Sequence, residues 1–404
     1  MTGNYYDVYQ KNPVFSEEFF GQFLRTLGKS YVQCADIGEC YVTLAKIEDQ
    51  NFNSWYDAWY ELAMYLTSLA ENSWQMGNLQ TAGLTYLRAT EYYRTSEFFL
   101  RANVDDPRIL PCFDQVRFCF ERALQALHPD VKKVAIPYDN HVLGGYLFYS
   151  PKKAKATLLL PGGYDSTVEE SYTLVPAALG HNYNILIFDA PGQGQVLRRQ
   201  KLYMRPDFEH VLTQVLDWVE QVPELSNNKY VLIGRSFGGY LAPRGACGES
   251  RLDGLICDPG QMDIAGSVNK LLPPPILALF QQEDATAVNS FFYDLFLKNK
   301  MKEFYFKSRM NTHGVTTPFD YIKEMTRYTF IDRVSEITCP TLVCDNPSDK
   351  ISNRGNTLYE ALLCEKTYIA FSDNRGAGMH CEADANGQFQ RVIFDWLDQH
   401  FACK

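Results

Sequence analysis

The chain is 404 residues long, 46% hydrophobic, and carries a formal net charge of −10. That length allows two or three domains with sizeable buried cores, and the acidic balance offers no concentrated positive surface for nucleic acid or an anionic membrane. Eleven cysteines, an odd number without CxxC pairs, point to neither a disulfide framework nor a zinc site, so neither a metal nor a cofactor is expected.

The opening "MTGNYYDVYQKNPVF" lacks the basic start and apolar core of a signal peptide, and no run approaches the length of a membrane span, so a soluble, cytoplasmic chain is expected. Residues 1–128 show long amphipathic stretches rich in Tyr, Phe, Leu and Ala without strand alternation, and predict an all-helical domain. In "GLTYLRATEYYRTSEFFLRAN", Leu84, Leu87, Tyr92, Phe98 and Leu100 interleave with Arg88, Glu91, Arg94 and Glu97, the pattern of a helix with one buried face. "NSWQMGNLQTAGLTY" is similar to a tetratricopeptide helix pair, but the period of about 34 residues that such arrays need has no second copy, so a non-repeating bundle is expected.

Residues 129–404 change style to short apolar runs split by turns and helical segments, which predicts an α/β domain built on a mostly parallel sheet. "VKKVAIPY" and "VLGGYLFY" are predicted to pair antiparallel across the turn from Asp139 to His141. The runs "ATLLL", "NILIFD", "YVLIG", "GLICD", "TLVCD" and "TYIAF" follow, rich in Val, Ile and Leu as strands covered on both faces should be. Between the last two aspartate-terminated runs lie more than eighty residues, too many for an ordinary connection. They predict a helical insertion over about 262–335, placed as a lid on the sheet's C-terminal edge, with a peripheral decoration that touches no substrate as the competing reading.

"YVLIGRSFGG" gives the site its starting point. Gly234-Arg235-Ser236-Phe237-Gly238 fits G-x-S-x-G, in which a sharp turn after a strand lifts a serine to the start of a helix whose free N–H groups stabilise negative charge on an attacked carbonyl oxygen. Pro243 and Gly245 fall inside that helix and predict a short or bent one. A serine hydroxyl needs a base, and of seven histidines only His313, His380 and His400 follow Ser236. His313 lies in the insertion and His400 in the final helical pattern, whereas His380 stands in the loop "DNRGAGMHCEAD" between the last strand and the last helix; a surface histidine satisfied locally is the alternative for it. The orienting acid is Asp349, in the turn of "TLVCDNPSDKIS" further along the loop that faces the active edge, or Asp345 at the end of the strand, with Asp349 preferred because folds built around this elbow usually place their acid in the turn rather than in the strand.

Glycines 162 and 163 in "LLLPGGYDSTVEE" allow backbone to approach a substrate, so the predicted oxyanion donors are the N–H of Phe237 and that of Gly163 or Tyr164; a simple tight turn is the alternative. "FDAPGQGQ" is a second glycine-rich turn after a strand, without the Lys-Ser/Thr of a phosphate-binding loop.

"PGGYDSTVEE", "FDAPGQGQ", "GRSFGGYLAPR", "PSDKIS" and "GAGMHC", in this order after a helical domain, resemble the α/β-hydrolases of the group that contains 2,6-dihydroxypseudooxynicotine hydrolase, the fermentation/respiration switch protein and fungal polyketide-shortening hydrolases. The resemblance implies Ser236 as nucleophile, Asp349 as acid and His380 as base, an N-terminal helical domain that helps cover the active site, and a homodimer. Glu169 and Glu170 belong to the shared motif, where a helix-start role competes with a catalytic one. The expected reaction is acyl transfer to water from an ester, thioester or amide, with cleavage of a C–C bond beside a ketone as the alternative within the family. A binding or regulatory protein on a hydrolase scaffold is the alternative of another class.

Overall fold

The computed structural model describes residues 15–402 apart from Asp165 and Asn227; the opening stretch of the predicted helical domain and Cys403 lie outside the described residues. Two compact units form. The first comprises the chain up to Val131 together with residues 299–308 and 383–386; the second comprises 132–298, 309–382 and 387–404.

In the first unit the helix Phe52–Gln75 begins at Asn51, whose side chain accepts the N–H groups of Asn53 and Ser54, both at 3.1 Å. Trp55, Ala58, Trp59, Ala63, Leu66 and Ala70 recur on one face of it and are buried. It lies against Leu79–Glu97, which in turn lies against Ile109–Leu127. The middle helix departs from the one-sided pattern expected for it: Glu91, Arg94 and Glu97 are buried as well. Every residue of this helix from 89 to 97 is buried, and ion pairs make this tolerable, Lys29 Nζ and Arg94 Nη2 each reaching Glu91 at 2.6 Å while Arg101 pairs with Glu97. Phe19, Trp55, Phe99 and Phe304 form an aromatic core, with Phe19 and Phe99 stacked at 4.4 Å and Phe304 edge-on to Phe99 at 5.1 Å.

The second unit is built on eight strands: β1 Lys132–Tyr138, β2 His141–Phe148, β3 Thr157–Pro161, β4 Asn184–Phe188, β5 Tyr230–Arg235, β6 Gly254–Asp258, β7 Thr341–Asp345 and β8 Lys366–Ala370. Their order is β1-β2-β4-β3-β5-β6-β7-β8, antiparallel across β1, β2 and β4 and parallel from β4 through β8. The hairpin closes with Tyr138 opposite His141, as expected. Every residue of β3, β4, β6 and β7 is buried, because helices such as Phe208–Gln221 and Gly238–Cys247 cover the sheet. β8 is only partly covered, the difference being its place at the sheet's edge. The long connection between β6 and β7 is helical, with Ile264–Leu271, Pro274–Gln281, Ala285–Lys298, Lys300–His313 and Pro318–Met325.

Because β3, β5, β7 and β8 are parallel, their C-terminal ends and the loops after them reach the same rim. That rim receives Gly162 and Gly163, Ser236, Asp349 and His380. Among the described residues no helix is long and apolar enough to cross a membrane, and ten cysteines are free thiols, all buried except the half-buried Cys364.

Candidate functional site

The elbow is set by backbone geometry. β5 ends at Arg235, Ser236 takes φ 57°, in the left-handed region a non-glycine residue adopts only under constraint, and a helix runs from Gly238 to Cys247. The constraint is visible on both sides of the peptide: Ser236 N–H donates to Asp258 O at 2.7 Å, and Ser236 O accepts from Gly239 N–H and from the Gln261 side chain, both at 2.9 Å. A Cβ on Gly234 would stand 2.0 Å from Gly238 O, and one on Gly239 only 1.9 Å from Pro259 O. Gly239, outside the five-residue motif, is therefore as sterically demanding as the motif glycine before the serine.

The proline inside this helix is accommodated locally. Pro243 has no N–H for the carbonyl of Gly239 four residues earlier, and that carbonyl instead accepts the backbone N–H of Gln261 at 2.9 Å. The helix continues for ten residues.

Ser236 Oγ lies 2.8 Å from His380 Nε2, and His380 Nδ1 lies 2.6 Å from Asp349 Oδ2. The other Asp349 oxygen accepts the N–H of Ile351 at 2.8 Å, which fixes the carboxylate in its turn, and the residue is 4% exposed. Asp345 is held elsewhere: its Oδ2 accepts from the Tyr368 hydroxyl at 3.1 Å and from Asn356 N–H at 3.2 Å. His400 is occupied by the Trp396 carbonyl and Glu365.

Gly163 presses against the elbow; a Cβ there would lie 2.7 Å from Arg235 O and 3.0 Å from the Cβ of Ser236. Its neighbour Tyr164 packs edge-on against Phe237, with ring centroids 4.5 Å apart. This turn is held by a residue that sequence reasoning passed over. Gln193, fully buried, donates to the carbonyls of Gly162 at 2.6 Å and Gly163 at 3.1 Å while its Oε1 accepts from Gly162 N–H at 3.1 Å and Ala190 N–H at 2.9 Å. The only signal for it was its place in the glycine-rich turn "FDAPGQGQ". Gln261 was missed as well, and no motif marks it.

His313 joins two tyrosines: its Nε2 bonds the Tyr164 hydroxyl, and its Nδ1 lies 3.0 Å from the Tyr328 hydroxyl. Burial, then the Arg309 charge, pushes its pKa down to about 3, so the ring is neutral. Glu169 and Glu170 fall in the first turn of Val168–Leu174. Burial and then the Glu169 charge push the carboxyl of Asp189 up to about 7, while Asp189 accepts the N–H groups of Val168 and Gln195 at 2.8 Å each.

Comparison with known proteins places this geometry in context. The model of the Alpha/beta hydrolase family matches residues 157–385. The chain is 32% identical to Hydrolase LUC6 of a Fusarium species, covering 97% of this chain and 98% of that protein. It is also 32% identical to 20-hydroxy-prefusarin hydrolase FUS2 of Gibberella moniliformis, with the same two shares covered. Among solved structures, 2,6-dihydroxy-pseudo-oxynicotine hydrolase superposes with a TM-score of 0.74 at 19% identity, over 93% of this chain and 96% of that one.

Proposed function

Since the chain belongs to the alpha/beta hydrolase family, and is a hydrolytic enzyme by that membership, we propose that it is a serine hydrolase acting on a small carbonyl compound. The observation that carries this reading is the contact series from Ser236 through His380 to Asp349, at 2.8 and 2.6 Å. His380 takes the proton of Ser236 as the serine oxygen attacks the carbonyl carbon, and Asp349 holds the imidazole in the tautomer that can accept it. The N–H of Phe237, with that of Gly163 or Tyr164, holds the oxyanion; the close approach of Gly163 to the elbow supports this. His380 then returns the proton to the leaving group, and water releases the acyl group by the reverse sequence of proton transfers. The name of one relative, a 20-hydroxy-prefusarin hydrolase, supports a small-molecule substrate. The insertion serves as the lid of this site, a role supported by His313 and Arg309 meeting Tyr164 in the turn beside the nucleophile.

A fluorophosphonate probe and short p-nitrophenyl esters test the reading. The native protein takes the label and turns over ester, and Ser236→Ala does neither. Labelling that persists in Ser236→Ala removes Ser236 as the nucleophile, and a native protein that takes no label favours a binding role.

A further inference from the structure

The backbone N–H groups of Gly163, Tyr164 and Phe237 have no hydrogen-bond partner among the described residues. Buried backbone donors are seldom left unpaired, and Gly163 and Phe237 are both buried. The N–H of Phe237 is aimed by the elbow, since the constrained Ser236 immediately precedes it. The other two sit on the Gly162–Gly163 turn, and glycine rotates about its backbone bonds with little steric resistance. The missing Cβ that lets Gly163 approach Arg235 O therefore also leaves these peptide planes easy to turn, unless another group holds them.

Gln193, fully buried in the turn after β4, is that group. Its Nε2 donates to two carbonyls at once, Gly162 at 2.6 Å and Gly163 at 3.1 Å, and its Oε1 accepts the N–H groups of Gly162 and Ala190 at 3.1 and 2.9 Å. Both donors and both lone pairs of the amide are used, and turning the amide over would set its oxygen against two carbonyls, so the network fixes its orientation. In a trans peptide the C=O and the N–H point in opposite directions. The carbonyl of Gly162 shares its plane with the N–H of Gly163, and the carbonyl of Gly163 with the N–H of Tyr164. By drawing both carbonyls to one nitrogen, Gln193 turns both N–H groups away from itself. The Cα of Gly163 meanwhile faces the elbow, where a Cβ would stand 3.4 Å from the nitrogen of Phe237, the third donor. Two more ties join the two turns: Gly194 N–H donates to Ser166 O at 2.9 Å, and Asp189 accepts Val168 N–H at 2.8 Å.

We propose that Gln193 is a positioning residue: by holding the carbonyls of Gly162 and Gly163 it aims the N–H groups of Gly163 and Tyr164 at the oxygen of the attacked carbonyl. Donors held in place before the substrate arrives need no reorganisation as negative charge develops. The inference rests on the roles proposed above for Ser236 and the oxyanion donors.

The test compares the native protein with Gln193→Met, whose side chain has the same length and no amide. The measurements are fluorophosphonate labelling, p-nitrophenyl ester kinetics and inhibition by trifluoroacetophenone, whose hemiketal with a serine carries an oxyanion. Removing one oxyanion donor costs about 10²- to 10³-fold in kcat, and donors present but misaimed cost less, so Gln193→Met lowers kcat and the labelling rate constant by about 10- to 100-fold. KM changes little, the inhibition constant of the ketone rises by a similar factor, and labelling still reaches the native stoichiometry. A merely structural role lowers the fraction of chains that take label and leaves the rate constant of that fraction unchanged; this result overturns the proposal. So does a Gln193→Met whose rate constant stays within severalfold of native, while a native protein that takes no label overturns it together with the role of Ser236. If circular dichroism shows Gln193→Met unfolded, Gln193→Glu decides, because it keeps acceptors for the N–H groups of Gly162 and Ala190 but sets oxygen against both carbonyls. A folded Gln193→Glu slowed by about tenfold or more at full stoichiometry supports the proposal. A smaller loss, or a second variant that does not fold, overturns it.

Discussion

Two aspartates four residues apart have opposite fates, and the backbone between them is the reason. Asp345 is still in β7, where its side chain is committed to Tyr368 and the N–H of Asn356, while Asp349 has left the sheet and turns its carboxylate to His380. Asp349→Asn is therefore expected to lower kcat by roughly 10³- to 10⁴-fold, because the amide stabilises the wrong imidazole tautomer, and Asp345→Asn to change the melting temperature more than kcat; steady-state kinetics and thermal melts on both variants check this. His313 makes a pH prediction. Its pKa falls from 6.5 to about 3 on folding, so the unfolded chain takes up a proton there that the native state refuses. This contribution is fully present above the unfolded pKa and is lost as pH falls through the window from about 6.5 to 3, at on the order of 1 kcal/mol per pH unit. Melting curves from neutral to acid pH should fall more steeply for the native protein than for His313→Gln.

At the scale of elements, the strand-to-helix turn shows how much a short motif leaves unsaid. G-x-S-x-G marks Gly234 and Gly238, and the first is needed because its missing Cβ clears the Gly238 carbonyl. The demand at Gly239 comes from Pro259, beyond β6, and no local pattern carries it. Gly239→Ala should strain the elbow against Pro259 and lower stability by about 1–3 kcal/mol, the range for overpacking a tight site, with a loss of ester turnover; denaturant titration and kinetics measure the two together. Pro243 makes the same point from the other side. A rule of local conformation predicted a short or bent helix, and a long-range hydrogen bond from Gln261 satisfies the carbonyl that the proline leaves open.

For the molecule as a whole, the first unit draws residues from three parts of the chain, and Phe304 joins its aromatic core from the long connection between β6 and β7. Phe304→Ala should cost the first unit about 3–5 kcal/mol, the usual penalty for deleting a buried ring, seen as an earlier transition in tryptophan fluorescence during denaturant unfolding, since Trp55 and Trp59 lie in that core. The amino-acid sequence by itself determined the eight strands, the parallel arrangement of most of them and the helical start, because hydrophobic period and turn residues act over a few positions and are written in neighbouring letters. It also singled out Ser236, His380 and Asp349, since each follows a strand whose end lies on the same rim. Tertiary structure alone decided that Gln193 and Gln261 brace the turns, and that Glu91, Arg94 and Glu382 are buried. Each of those outcomes depends on partners tens or hundreds of residues away, and burial and pairing at such separations exist only once the chain has closed on itself.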